Sequence, residues 1–157
     1  MLQKILGALW RRAPKFARRW SVRLTQPRFT VTAGAVVLDE ERRVLLLRHV
    51  FRAREAWGIP GGFIKKGEDA EDALRRELLE EAGLELESAE IAFTRTLKRP
   101  AQVEIIFRCR PAGDARPRSL EIKSAKWFAL DQLPQELAKD QRRLIERALR
   151  QWKERRV

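Results

Sequence analysis

Three carboxylates stand at Glu77, Glu80 and Glu81, inside the stretch "RRELLEEAGL" that runs from Arg75 to Leu84. On a helix each residue turns about 100° around the axis. Glu77 and Glu81 then flank the stripe defined by Leu74 and Leu78, with Glu80 farther round. A solvated helical face held by i,i+4 ion pairs, such as Arg76 with Glu80, would instead put the acids opposite the leucines. Carboxylates at the edge of a buried stripe repel each other. At ~4 Å the cost is about 1 kcal/mol in water and ~4 kcal/mol at an effective dielectric of ~20. Raised pKa values, a basic partner or a metal cation must offset this. Oxygen ligands on one rigid helix, with no His or paired Cys beside them, suit a hard cation such as Mg²⁺ or Mn²⁺. Such ions commonly bind substrate phosphates as well, so the chemistry pointed to is metal-dependent phosphate chemistry.

The elements that must position these groups follow from the flanking sequence. The helix is expected over about residues 69–82, with Asp69, Glu71 and Asp72 at the positive end of its dipole and Gly83 as its C-cap. Leu79, on the far side from Leu74, is expected to pack on a second layer. Before the helix, "FTVTAGAVVLD" and "VLLLRHV" read as strands buried on both faces, joined by the charged turn "DEERR". "AWGIPGG" reads as a loop. After the helix, "AEIAFTRTL" and "QVEIIFRCR" read as two strands, and "EIKSAKWFAL" as a last one. The segment from Leu133 to Arg156 reads as a final helix with Leu137, Leu144, Ile145, Ala148 and Leu149 inward. This pattern predicts an α/β fold with a mixed sheet packed by helices.

From Gly62 the chain reads "GFIKKGEDAEDALRRELLEEAGL": Gly, five residues, Glu68, seven residues, then Arg76-Glu77-Leu78-x-Glu80-Glu81-x-Gly83-Leu84. That resembles the Nudix box at every specified position. "WGIPGG" and "WFALDQLP" are similar to the same family, and the resemblance covers roughly residues 28–155. It implies a Nudix fold, a mixed β-sheet sandwiched between helices. It also implies a hydrolase that cleaves a nucleoside diphosphate linked to another group, by water attack at phosphorus. Glu77, Glu80 and Glu81 would be metal ligands or adjacent bases, and Gly62 would offer its carbonyl. Arg76 would orient the glutamates, with Glu68 as its ion-pair partner or as a ligand of metal-bound water. Leu78 and Leu84 would anchor the element. A further glutamate from outside the box is expected: Glu121 first, either catalytic or an ordinary surface acid, and Glu104 second, with an outward strand position the preferred reading.

Arg48, Arg52, Phe63 and Pro100 are the candidate substrate contacts, with solvated surface the preferred reading of the two arginines and packing the alternative for Phe63. Pro100 lies sixteen residues past Leu84 and resembles the ADP-ribose pyrophosphatase pattern, while the chain has no tyrosine for the dinucleoside polyphosphate pattern. The resemblance therefore leans to ADP-ribose or another nucleoside diphosphate sugar. An RNA or dinucleoside-polyphosphate pyrophosphohydrolase is the alternative. A silent nucleotide-binding module would tolerate losing a box glutamate, and this chain keeps all of them. His49, the only histidine, reads as a strand-edge residue that could also contact substrate, Trp57 as packing, and Cys109 as core.

Composition sets the rest. The 157 residues carry net charge +12, unevenly spread. Residues 1–38 hold eight Lys/Arg and no acid, and residues 139–157 hold eight Lys/Arg against three acids, so the middle is nearly neutral. Residues 1–27 read as a basic amphipathic appendage, with Leu2, Ile5, Leu6 and Leu9 at helical spacing before Pro14. Residues 28–157 form the domain. Three readings of the appendage are open: a helix on an anionic membrane surface, packing on the domain or on a second copy in a homodimer, and an Arg-rich targeting segment. Nucleic acid ranks behind membrane or packing. One cysteine allows no internal disulfide, so a cytoplasmic location is expected, membrane-associated if the appendage is an anchor.

Overall fold

The structure, a computed structural model, describes residue 10, residues 14–52 and residues 56–154. The helix expected over residues 2–9 lies outside the described residues. A first described helix, α1 (Lys15–Thr25), leads into β1 (Thr30–Val37), β2 (Val44–His49), β3 (Trp57–Gly58) and β4 (Gly61–Phe63). Helix α2 (Ala70–Ala82) follows, then β5 (Leu86–Leu97), β6 (Gln102–Pro111), β7 (Ile122–Phe128) and α3 (Lys139–Glu154).

The strands form two sheets. One has the order β4-β1-β6-β5, with β1 and β6 parallel and the outer pairs antiparallel; the other is antiparallel, β3-β2-β7. Strands β1 and β2 explain their own apolar runs. Ala33, Ala35, Val37, Leu45 and Leu47 join Leu74 and Leu78 of α2 in one core. The alternate residues Val36, Leu38, Val44 and Leu46 join Leu144, Ile145 and Ala148 of α3 in another. Side chains alternate across a strand with period two, so strands sandwiched between helices read as unbroken hydrophobic stretches.

Helix α2 begins at Asp69, whose side chain makes no capping bond, and ends at Gly83 with φ 59°. There Gly83 N–H donates to Leu79 O at 3.1 Å, and Leu84 N–H to Leu78 O at 3.3 Å. That pair of bonds satisfies terminal carbonyls of the helix and drops Leu84 into the core. At the other layer Arg95 of β5 ties the sheet to α3. It bonds Glu104 of β6 and forks onto Asp140 at 2.9 and 2.7 Å.

Three expectations are corrected. The "WGIPGG" segment is not a plain loop: Trp57–Gly58 pairs with β2 and Gly61–Phe63 with β1. Runs of two and three residues are too short to show a strand period. The last helix starts at Lys139 rather than Leu133, because residues 129–138 are spent in turns, with Leu137 buried ahead of the helix. Leu79 is exposed on the far side of α2 and packs on no second layer.

Leu78 is fully enclosed between α2 and the sheet. Leu78→Ala is expected to cost about 2–5 kcal/mol through lost burial and the cavity left behind. Urea titration should show a lower midpoint at unchanged slope.

Candidate active site

The site forms where α2 meets β4. Gly61 takes φ 145°, a backbone region open to glycine, while pairing with Gly34. Its N–H donates to Glu81 Oε2 at 3.2 Å. Gly62 faces Glu77: a Cβ placed there would lie 2.5 and 2.6 Å from the two carboxylate oxygens. Two bare residues of β4 thus let two glutamates of the adjoining helix lie against the backbone.

Arg76 organises the other side. Its Nε and Nη2 donate to Glu68 at 2.7 and 3.0 Å, and its Nη1 to Glu77 Oε1 at 2.6 Å and to Glu80 Oε2 at 3.4 Å. Nη2 also reaches the Phe63 carbonyl at 3.2 Å. These bonds, Glu68 first and Glu77 second, raise the Arg76 pKa. The same fork holds the Glu68 carboxyl down to about 2, helped by the Lys65 N–H. Glu81 behaves oppositely. Burial pushes it up from 4.5 to about 7; the Gly61 N–H opposes this, the charge of Glu77 adds to it, Arg52 again opposes and Glu121 adds.

Glu77, Glu81 and Glu121 line one depression together with Gly62, Phe63 and Arg52. Three expected members stand apart from it. The Glu80 carboxylate is turned to Arg76 and largely exposed, since one helical step past Leu79 carries it off the shared stripe. Glu68 accepts from Arg76 on both oxygens and from the Lys65 N–H on one of them, the ion pair expected of it, and it does not line the depression. Glu104 is bound by Arg95. Among the substrate candidates, Arg48 lies within β2 opposite Ser124 and Trp57, and Pro100 sits in the β5–β6 turn; neither lines the depression.

Lys65 and Phe51 line the depression although nothing in the sequence marked them, and His49, the strand-edge residue that could contact substrate, lines it too. Lys65 carried no periodic signal, because β4 ends at Phe63 and is too short to show one. His49 Nε2 is buried with no hydrogen-bond partner, and burial, then the charge of Arg52, lowers its pKa to about 4. Cys109 is a buried core thiol raised to about 12 by desolvation, so it offers no nucleophile. Trp57 packs edge-on against Phe128 with ring centroids 5.0 Å apart.

The arrangement offers oxygen donors only. Among the described residues no three His, Cys, Asp or Glu side chains close on one point as a metal cage. Glu77 and Glu81, which line one depression, still fit a hard cation that completes its shell with water and phosphate. Gly62 gives the Glu77 carboxylate its place against the backbone, and the desolvated Glu81 is the carboxyl whose charge such an ion would offset.

The NUDIX domain model matches residues 28–148, and the chain belongs to the Nudix hydrolase family, enzymes that act on phosphoric anhydrides and generally use divalent metals. It is 38% identical over 113 residues to the RNA pyrophosphohydrolase of Teredinibacter turnerae, covering 71% of this chain and 62% of that protein. The chain thus spans about three-fifths of that relative's length. Its fold is similar to the MutT NUDIX hydrolase of Burkholderia pseudomallei (TM-score 0.66, 31% identity, 77% and 98% of the two chains). It is also similar to the NUDIX domain of Shewanella oneidensis NrtR complexed with ADP ribose (TM-score 0.69, 22% identity, 93% and 97%), a likeness of fold alone.

The raised Glu81 pKa has a stability consequence in metal-free protein. Below pH 4.5 the carboxyl is neutral in folded and unfolded chains alike. Between 4.5 and about 7 the unfolded chain loses this proton first, so folding weakens as pH rises, and the deficit is constant above 7. Glu81→Gln removes the effect. In chelator-treated samples the variant's urea midpoint should match wild type near pH 4 and exceed it at pH 8.

Proposed function

We propose that the chain is a divalent-metal-dependent pyrophosphohydrolase acting on a nucleoside diphosphate linked to another moiety, with ADP-ribose or another nucleoside diphosphate sugar preferred. The observation that carries this reading is the meeting of Glu77, Glu81 and Glu121 with Arg52 and Lys65 around one depression. Three acids and two cations in one hollow suit a polyanion bridged to the protein through metal on one side and directly on the other. The hard oxygen donors favour Mg²⁺ or Mn²⁺. When bound, such a cation neutralises phosphate charge and lowers the pKa of water.

The chain's own residues do the rest. Glu77 and Glu81, with the Gly62 carbonyl, hold the cation. Arg76 keeps Glu77 in one rotamer, with Glu68 anchoring the guanidinium. Glu80, turned outward, tunes Arg76 and reaches the cation only if that ion pair opens. Arg52 and Lys65 grip the phosphates. Glu121 accepts the proton of the attacking water, because it enters the hollow from β7's leading edge, off the helix that binds metal. Phe63, exposed at the rim, offers a face for a base or sugar. The lean to ADP-ribose draws on the Pro100 pattern and on the ADP-ribose-bound Shewanella domain. Pro100 would act by shaping the turn that leads into Gln102, not by contact.

A second reading, RNA pyrophosphohydrolase, is favoured by the basic chain ends and by the activity in the name of the Teredinibacter relative. The test is a Mg²⁺-dependent product assay on ADP-ribose, NADH, dinucleoside polyphosphates, nucleoside triphosphates and triphosphorylated RNA. ADP-ribose should yield AMP and ribose 5-phosphate. Turnover confined to triphosphorylated RNA would favour the second reading, and none on any substrate would favour a silent binding module. Glu81→Gln should lower turnover about a hundredfold or more with the fold kept, as expected for loss of a metal-holding or proton-handling group.

A further inference from the structure

Helix α1 stands apart from the catalytic hollow and has no buried residue along its 11 positions. Phe16, Trp20 and Leu24 are spaced i, i+4, i+8, so they form one stripe spanning about 80° of the helix surface. That stripe is turned to solvent, with the three side chains 68%, 59% and 76% exposed. Trp10, ahead of the helix, is exposed as well. The helix carries Lys15, Arg18, Arg19 and Arg23, and no acid occurs anywhere in residues 1–38. Arg23 and Arg19 border the stripe on one edge, while Ala17 and Ser21, partly covered, border the other.

Water can hydrate Lys15, Arg19 and Arg23 but leaves Phe16, Trp20 and Leu24 without an apolar partner. The described domain residues do not cover the stripe. A second copy placed stripe to stripe would bring two rows of arginine together with no acid on the helix to offset them. Nucleic acid would meet the cations and leave a continuous apolar stripe without an apolar partner. An anionic lipid surface meets both halves at once: acyl chains take Phe16, Trp20 and Leu24, and headgroup phosphates take the arginines, whose long stems reach outward.

We propose that α1 is an interfacial helix that docks the protein on anionic lipid, with Phe16, Trp20 and Leu24 inserted and Lys15, Arg19 and Arg23 at the headgroups. No described helix is long and apolar enough to cross a membrane, and docking needs none. This inference does not depend on which anhydride the hollow cleaves.

The test uses the full chain in co-sedimentation with vesicles of phosphatidylcholine alone and of phosphatidylcholine mixed with phosphatidylglycerol. Binding is expected to the mixed vesicles and to weaken with salt. The triple variant Phe16→Ala/Trp20→Ala/Leu24→Ala should bind them about tenfold or more less tightly, as loss of buried apolar area requires. Arg19→Glu/Arg23→Glu should lose the preference for phosphatidylglycerol. Thermal melts of both variants should match wild type, since α1 contributes nothing buried to the core. Equal pelleting of wild type and the triple variant would overturn the proposal, as would equal affinity for neutral and anionic vesicles. Two other results would also overturn it: a wild-type dimer that the triple variant dissolves in sedimentation velocity, or α1-dependent binding of an RNA oligonucleotide without vesicle binding.

Discussion

Two carboxylates of one helix can lie against a strand only if the strand gives them room, and here the room is glycine. Gly62 leaves space that Glu77 fills, and Gly61 turns its N–H toward Glu81 in a backbone conformation that side chains disfavour. The rest of the fold holds this contact in register. Pairing of β4 with β1 fixes the glycines, Leu74 and Leu78 fix the rotation of α2, and the Gly83 cap fixes where it stops. The arrangement carries an electrostatic cost. Like charges ~4 Å apart at an effective dielectric of ~20 repel by about 4 kcal/mol. Arg76 takes up Glu77, whereas Glu81 keeps its proton up to about pH 7. The unbalanced member is the one a cation would most change.

The parts of this that were legible in the sequence are those with a period or a fixed spacing. The leucines of α2 and the glutamates beside them follow from about 100° per residue, and the doubly buried strands follow from their unbroken apolar runs. What escaped was too short or too tertiary. Strands of two and three residues carry no period, so β3 and β4 looked like loop although β4 carries the glycines of the site. Glu80 and Glu68 match the box as well as Glu77 does, yet Arg76 draws both away from the hollow, and only the fold shows where a guanidinium goes. Lys65 and Phe51 arrive by chain geometry. Pro100 and Arg48 sit at positions a linear reading cannot separate from the site.

Arginine does opposite work in different parts of the chain. In the domain several are committed: Arg76 to Glu68 and Glu77, Arg95 to Glu104 and Asp140, Arg75 to Glu71 and the Leu86 carbonyl. In α1 the cations share a helix with no acid and border an exposed apolar stripe. The net charge of +12 is therefore mostly a property of the ends. Nearly neutral surroundings let the hollow select its charge locally, and the basic helix is free to address a different surface.

The central claim is that Glu77 and Glu81, seated on glycine backbone, bind a divalent cation. Electron paramagnetic resonance of Mn²⁺ titrated into the protein measures this directly, without a substrate. Saturable Mn²⁺ binding that Mg²⁺ competes away is expected, weakened at least about tenfold by Glu77→Gln or Glu81→Gln and likewise by Gly62→Ala, which intrudes on Glu77. Saturable binding of equal strength in wild type and all three variants, or no saturable binding at all, would contradict the claim.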